Sequence, residues 1–214
     1  MSGVPSTGVL HAAGIADKGL LIELDEARVQ NLHAPKASGA WYLQCATACA
    51  PLEARVLFAS VGSGLGNVGQ ANYSASNACL DANALALRTH GCAASSLQWP
   101  LVGGAGMGAA AFGSFAAQKV AIAGMASVSL EEYAACLDSQ LKAGVGVALS
   151  VQMVHRASVH EFLQDLADSS QARFCELVAA GKAAPPSVPA AAAEPTTAPA
   201  KAGNALAELS LIHI

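Results

Sequence analysis

Short apolar runs alternate with longer stretches in which apolar positions recur every three or four residues. This pattern organises the first half of the chain. Residues 8–12 (Gly-Val-Leu-His-Ala) read as a short buried strand punctuated by Gly14. Asp25 suits the N-cap of a helical pattern that Pro35 interrupts, and a second helical stretch runs over residues 38–49. Residues 55–60 form an apolar strand, 70–90 an Ala- and Leu-rich helix stopped by Gly91, and 94–99 a further buried strand. The order β, α, β, α, β predicts a parallel sheet wrapped by helices.

Beyond Pro100 the pattern loosens. Gly103-Gly-Ala-Gly-Met-Gly108 must be loop, and residues 109–124 a short helix or mobile segment. A helix is expected over 130–142, the last strand over 145–154, and one or two helices over 158–180. Pro185, Pro186, Pro189, Pro195 and Pro199 then sit among alanines and threonines, a composition that cannot build a core and reads as an extended linker. The expected organisation is a partial α/β domain over 1–182, a Pro/Ala-rich linker over 183–203 and a truncated tail over 204–214, too short to fold. The apolar ending Leu-Ser-Leu-Ile-His-Ile has no evident role, and the expected explanation of this layout is truncation of a longer multidomain chain.

Composition fits an ordinary packed domain: of 214 residues, 53% are apolar and 12% charged. A net charge of −4 offers no electrostatic basis for nucleic acid or an anionic membrane as partner. No apolar run reaches the roughly 18 residues of a membrane span. No targeting segment is visible, so a cytoplasmic location is expected, with an organelle left open. The six cysteines (Cys45, Cys49, Cys79, Cys92, Cys136 and Cys175) are scattered without a Cys-x-x-Cys pair. They read as small core residues in a reducing compartment rather than metal ligands.

Candidate chemistry gathers between Val56 and Asp81. The strand ends on Ser60, a glycine-rich loop follows, and the next helix carries Tyr73 and Asn77, four residues apart and so on one face. A hydroxyl and a phenol then meet at the C-terminal edge of a sheet, where open α/β folds bind ligands. Such a pair can polarise and protonate a carbonyl. A phenol's free pKa is about 10, and a nearby ammonium would lower it. Lys36, at the break between two helices, is the candidate. The stretch Gly64-Leu-Gly66-Asn-Val-Gly69 spells G-x-G-x-x-G, yet the acidic residue expected about 20 positions on would fall inside the same helix. The glycines are better read as the turn that sets Ser60 against Tyr73.

These segments together resemble the ketoreductase domain of type I polyketide synthases, a branch of the short-chain dehydrogenase/reductase superfamily. The resemblance runs through Gly8-Val-Leu-His-Ala-Ala-Gly14, Ala34-Pro-Lys36-Ala-Ser-Gly39 and Val56-Leu-Phe-Ala-Ser60. It continues through Gly66-Asn-Val-Gly-Gln-Ala-Asn-Tyr73-Ser-Ala-Ser-Asn77, Gln98-Trp99 and Gly104-Ala-Gly-Met107. It covers roughly residues 8–108, with a looser match to about 180. Ordinary short-chain dehydrogenases place lysine four residues after the tyrosine. Here Asn77 stands there and lysine appears at Lys36, an exchange characteristic of polyketide and animal-type fatty acid ketoreductases.

The resemblance implies a Rossmann-like, doubly wound parallel sheet, of which this chain would hold the C-terminal part, with a disordered Pro/Ala-rich tail. It implies NADPH-dependent reduction of a β-ketoacyl thioester tethered through phosphopantetheine to an acyl carrier protein, with other megasynthase domains as further partners. By position, Tyr73 resembles the proton donor, and Ser60 the hydrogen-bond donor to the ketone oxygen. Lys36 would tune Tyr73 and hold the nicotinamide ribose, and Asn77 would support the lysine or a relay water. Ala12, Ala13 and Gly14 would let the cofactor approach the backbone; Lys36, Tyr73, Pro100 and Leu101 would also face it, with no metal. A structural role is expected for His11.

Several departures qualify this. The family's cofactor half begins with a glycine-rich turn, which the seven residues before Gly8 cannot supply, so the chain alone is expected to be inactive, with an exposed sheet edge. The Leu-Asp-Asp marker of one product hand falls at Ala16-Asp17-Lys18; Leu65 replaces the tryptophan of the other hand, and Val68 the usual proline. The balance falls to the Leu-Asp-Asp type. Pro100-Leu101-Val102 replace the family's Gly-Pro-Trp. Alternatives are a fatty acid synthase ketoreductase, a non-catalytic structural subdomain of a megasynthase, and an interaction module built around the tail. The full set Ser60, Tyr73, Lys36 and Asn77 argues against the scaffold reading.

Overall fold

The computed structural model describes residues 8–66, 69–103, 128–142, 151–155, 170–175, 178–179 and 210–213. Within them a five-stranded sheet runs in the order β1 (Gly8–His11), β2 (Ala54–Ser60), β3 (Ala94–Trp99), β4 (Val151–His155) and β5 (Ser210–His213). The first four strands are mutually parallel and β5 is antiparallel to β4. The register pairs His11 with Leu57 and Ser60 with Trp99, which brings the C-terminal ends of β1, β2 and β3 to one edge.

Because successive side chains on a strand point to opposite faces, β2 feeds two cores. Val56 and Phe58 pack with Leu97, Trp99 and Val154 against Cys136, Tyr133 and Leu137 of α5 (Leu130–Lys142). Leu57 and Ala59 pack on the other face against Ala40 of α2 (Gly39–Ala46) and Leu80 and Ala84 of α4 (Ala71–Thr89). Helices on both faces explain why Val56 to Ala59 is an unbroken apolar run. This is a doubly wound, Rossmann-like arrangement, as the β-α alternation predicts.

Local chemistry explains most boundaries. The Asp25 carboxylate accepts from Arg28 N at 2.8 Å and caps α1 (Glu26–His33). Ser129 and Glu132 exchange bonds of 3.2 and 2.7 Å in a capping box that opens α5. Gly91, at φ +78°, ends α4: its N–H reaches Arg88 O and the Cys92 N–H reaches Leu87 O, the paired bonds of a Schellman motif.

Five expectations need correction. Pro35 does not break the helix. The chain passes from α1 into α2 through a π-helical turn, Ala34–Ser38, in which the Gly39 N–H reaches back to Ala34 O. Widening by one residue accommodates a ring that would clash with an α-helical carbonyl. The glycine-rich loop is partly helical, since Val61–Leu65 form a short α3 capped by Ser60. The first strand ends at His11, leaving Ala12 outside it. The strand predicted over 145–154 is described over Val151–His155, residues 145–150 lying outside the described set, and it is not the last, because Ser210–His213 of the tail adds to it. Cysteine is not mainly a core residue here: Cys136 is buried, whereas Cys45, Cys49, Cys79, Cys92 and Cys175 are exposed. Burial pushes the Cys136 thiol up to about 11.

Residues 104–127, 143–150, 156–169 and 180–209 lie outside the described set, and with them the expectations for the 104–108 loop, the 109–124 segment, most of 158–180 and the 183–203 linker. No described helix is long and apolar enough to cross a membrane.

Leu80 is fully buried at the α4–sheet contact, whereas Ile22 is 90% exposed. Leu80→Ala is expected to lower the unfolding free energy by about 2–5 kcal/mol, and Ile22→Ser to change it by less than about 0.5 kcal/mol. Urea denaturation of the two variants beside the wild type checks this.

Candidate active site

The π turn aims Lys36 inward. Its side chain is only 3% exposed, and its Nζ donates to the Phe58 carbonyl at 3.0 Å. The turn is held from β1, where His11 Nε2 donates to the Lys36 carbonyl oxygen at 3.1 Å. His11 is buried and bonded, as its structural reading anticipates. Gly14 completes the channel: a Cβ there would lie 2.8 Å from Lys36 Cε and 3.2 Å from Nζ. Any larger residue would displace the lysine.

Lys36 Nζ lies 5.8 Å from the centroid of the Tyr73 ring, within cation–π range. Tyr73 stands in the first turn of α4 and is half-buried. Asn77, one turn on, is fully buried; its Nδ2 donates to the Tyr73 carbonyl at 2.8 Å, and its Oδ1 is buried without a partner. Ser60 Oγ, at the end of β2, accepts from the Gly62 N–H at 3.2 Å. A Cβ on Gly62 would lie 3.5 Å from Ser60 Oγ and 3.7 Å from Ser74 Oγ, so the strand end and the first turn of α4 converge there. Gly66 and Gly69 take positive φ of 79° and 71°, which marks turn geometry between α3 and α4.

Burial lowers the Lys36 pKa from 10.5 to about 8, opposed by the negative charge of Asp81. Among the other predicted positions, Ala12 and Ala13 are exposed just past β1, Pro100 is buried and Leu101 half-buried at the end of β3. Pairing of 101–103 with Val128 fixes that last stretch: Val128 N bonds Leu101 O at 2.9 Å and Gly103 N bonds Val128 O at 2.8 Å. The structure therefore places Lys36 against Gly14 and within cation–π range of Tyr73, with Asn77 bonded to the Tyr73 carbonyl and Ser60 and Pro100 at the ends of adjacent strands. Among the described residues no metal-holding cluster of His, Cys, Asp or Glu occurs.

Two groups make contacts that the sequence reading did not assign. Asp17 accepts from Arg28 Nε at 3.0 Å, Arg28 Nη2 at 2.8 Å and Asn72 Nδ2 at 2.9 Å, fastening the loop after β1 to the residue before Tyr73. Arg28 beside it holds the Asp17 carboxyl below the usual range, with Asn72 adding to the effect. Arg28 also donates to the Glu23 and Lys18 carbonyls, and Gly19 N bonds Gly69 O at 2.9 Å. Nothing in the spacing of Asp17 and Asn72 announces this. The second group is Asp81, whose position one turn beyond Asn77 is a signal the sequence does carry.

Comparison with known proteins agrees with this arrangement. Residues 2–104 match the KR domain family. The chain is 40% identical to the spectinabilin polyketide synthase system protein NorB of Streptomyces orinoci over 69% of its own length and 7% of that protein's. It is 37% identical to the erythronolide synthase EryA2 of Saccharopolyspora erythraea over 65% of its length and 4% of that protein's. Solved A-type ketoreductases from modular polyketide synthases superpose with a TM-score of 0.68 at 27% identity, over 82% of this chain and 36% of theirs. The first ketoreductase of the tylosin synthase gives a TM-score of 0.60 at 28% identity, over 80% of this chain and 38% of that one. The fold is thus that of an α/β domain similar to solved ketoreductases. The chain belongs to the ketoreductase domain family of polyketide synthases. It spans only a small part of the curated relatives and little more than a third of the solved domains it matches.

The depressed Lys36 pKa has a measurable consequence. Between about pH 8 and 10.5 the native lysine has lost its proton while the unfolded chain still binds one. The Lys36 contribution to stability therefore rises with pH across that window and is constant below it. Comparing urea unfolding of the wild type and Lys36→Met from pH 7 upward should show the wild type gaining relative stability above about pH 8.

Proposed function

We propose that this domain reduces a β-ketoacyl thioester, carried on the phosphopantetheine arm of an acyl carrier protein, to the β-hydroxyacyl form with NADPH. The convergence of Lys36 on Tyr73 through the π turn, beside Ser60 and Asn77, is the observation that carries the reading.

The residues present fit the nicotinamide end of such a cofactor. Gly14, lacking a Cβ, lets Lys36 reach this end, Ala12 and Ala13 offer a low, exposed wall, and Asn77 Oδ1 is a buried acceptor without a partner. Ala12, Ala13, Gly14, Pro100 and Leu101 would line this end, and Lys36 and Tyr73 would face its ribose. When bound, the cofactor supplies the hydride that forms the new C–H bond at the ketone carbon.

The chain's own residues handle the oxygen. Tyr73 gives its phenolic proton to the oxygen as the C=O π pair becomes an O–H bond, leaving phenolate. The Ser60 hydroxyl donates a hydrogen bond to that oxygen and stabilises developing negative charge. The Lys36 ammonium lies 5.8 Å from the centre of the ring that gives up this proton. Asn77 Oδ1 can hold a water that returns a proton to the Tyr73–Lys36 pair.

The test measures NADPH oxidation with a β-ketoacyl thioester. It uses this chain and the same chain extended at its N-terminus by the cofactor-binding half of a relative. Activity in the extended form is expected to fall by about 10²-fold or more in Tyr73→Phe, which keeps the ring and removes the proton. Equal activity in Tyr73→Phe would rule out its role as proton donor, and an inactive extended wild type would favour the structural-subdomain reading.

A further inference from the structure

Behind the four residues stands a carboxylate that the proposed reaction leaves unused. Asp81 lies on α4 one turn beyond Asn77 and two beyond Tyr73, so the three share a face of the helix. It is half-buried and accepts hydrogen bonds from three neutral donors: Ser63 Oγ at 2.7 Å, Ser96 Oγ at 2.6 Å and Gln98 Nε2 at 2.8 Å. Ser96 and Gln98 are buried on β3. Ser63 belongs to α3, and its hydroxyl also lies 2.8 Å from the Ser60 carbonyl oxygen. One side chain thus ties the helix bearing Tyr73 and Asn77 to the short helix capped by Ser60 and to the adjacent strand.

Hydroxyl and amide donors leave the carboxylate's charge in place, and that charge opposes the desolvation of Lys36. The other groups facing Lys36 are mostly uncharged. His11 approaches from β1 but is spent on the Lys36 carbonyl, β2 presents the Phe58 carbonyl, and α4 adds the Tyr73 phenol. In the loop after β1, Gly14 abuts the lysine, while Asp17 is engaged by Arg28.

We infer that Asp81 is a positioning residue of this site: it fixes α3, and with it Ser60, against α4, and it is the counter-charge that keeps the buried Lys36 ammonium protonated. The inference rests on the reductase reading for its purpose, yet it can be read without substrate or cofactor, so the two fail separately.

The experiment follows Lys36 by NMR in the full chain carrying ¹³C-labelled lysine, with the resonance assigned from its loss in Lys36→Met. Hydrogen exchange of the α3 amides is recorded alongside. In the wild type the Lys36 midpoint is expected at about 8. Asp81→Asn should lower it by on the order of half a pH unit and speed α3 exchange. Ser63→Ala, which cuts the tie but keeps the charge, should speed α3 exchange and leave the midpoint in place. Asp81→Glu retains the charge with a longer arm, and should also hold the midpoint while loosening α3. If the midpoint is unmoved in Asp81→Asn, or falls equally in Asp81→Glu, the counter-charge role is wrong. Unchanged α3 exchange in both Ser63→Ala and Asp81→Asn overturns the tethering role. Should Asp81→Asn not fold, the Asp81→Glu and Ser63→Ala pair decides, since a fallen midpoint in both would mark packing rather than charge.

Discussion

An ammonium withdrawn from water inside a five-residue π turn constrains everything around it. Lys36 needs an acceptor, which the Phe58 carbonyl provides, and that fixes the height of the turn above β2. The turn's own Lys36 carbonyl needs a donor, which His11 provides from β1. Gly14 must lack a side chain for the lysine to pass. Tyr73, in the first turn of α4, presents its ring to the ammonium. Pro35 makes the wider turn favourable by removing an N–H that an α-helix would use, so the residue that looks like a helix breaker shapes the site.

A second layer of polar contacts holds the surrounding elements in register. Asp17, Arg28 and Asn72 pin the loop after β1 to the residue before Tyr73, and Gly19 pairs with Gly69 along the same seam. Asp81 performs the equivalent task on the opposite side, linking α3, α4 and β3. Fastening at both ends suits a first helical turn that must hold a phenol steady while offering one face to a ligand. Loops pinned in this way lose less entropy when a ligand binds, which favours affinity.

The sequence was most informative where structure follows from local chemistry. The strand Ala94–Trp99 and the helix Leu130–Lys142 match their predicted limits because periodicity and capping residues lie within a few positions of one another. Three features resisted. The π turn depends on His11, remote in sequence, gripping the Lys36 carbonyl. The α3 helix forms from Val-Gly-Ser-Gly-Leu against intrinsic propensity, because the Ser60 cap and the Ser63–Asp81 bond supply what the glycines cost. The Asp17–Asn72 contact spans 55 positions and leaves no trace in spacing. The candidate residues Lys36, Tyr73 and Asn77 were legible through a family pattern, whereas the contacts that aim them were legible only in three dimensions.

The distribution of unfavourable local choices bears on why this site exists. Burying an ammonium is expensive, and exchanging such a group for an apolar side chain of similar length often leaves stability unchanged or improved. Here the ammonium is buried opposite a carboxylate that makes no ion pair with it, close to a fully buried asparagine whose Oδ1 has no partner. Gln98, which donates to Asp81, also keeps a buried acceptor unpaired. An element serving only as scaffold would gain by replacing Lys36 with methionine and Asn77 with leucine, since the neighbouring Leu80, Ala84 and Leu57 already form an apolar layer. Local conflicts of this kind collect where a protein performs chemistry. Lys36 and the unpaired Asn77 Oδ1 both stand beside Tyr73, at the strand ends where α/β folds bind ligands, which favours the catalytic reading over the structural one.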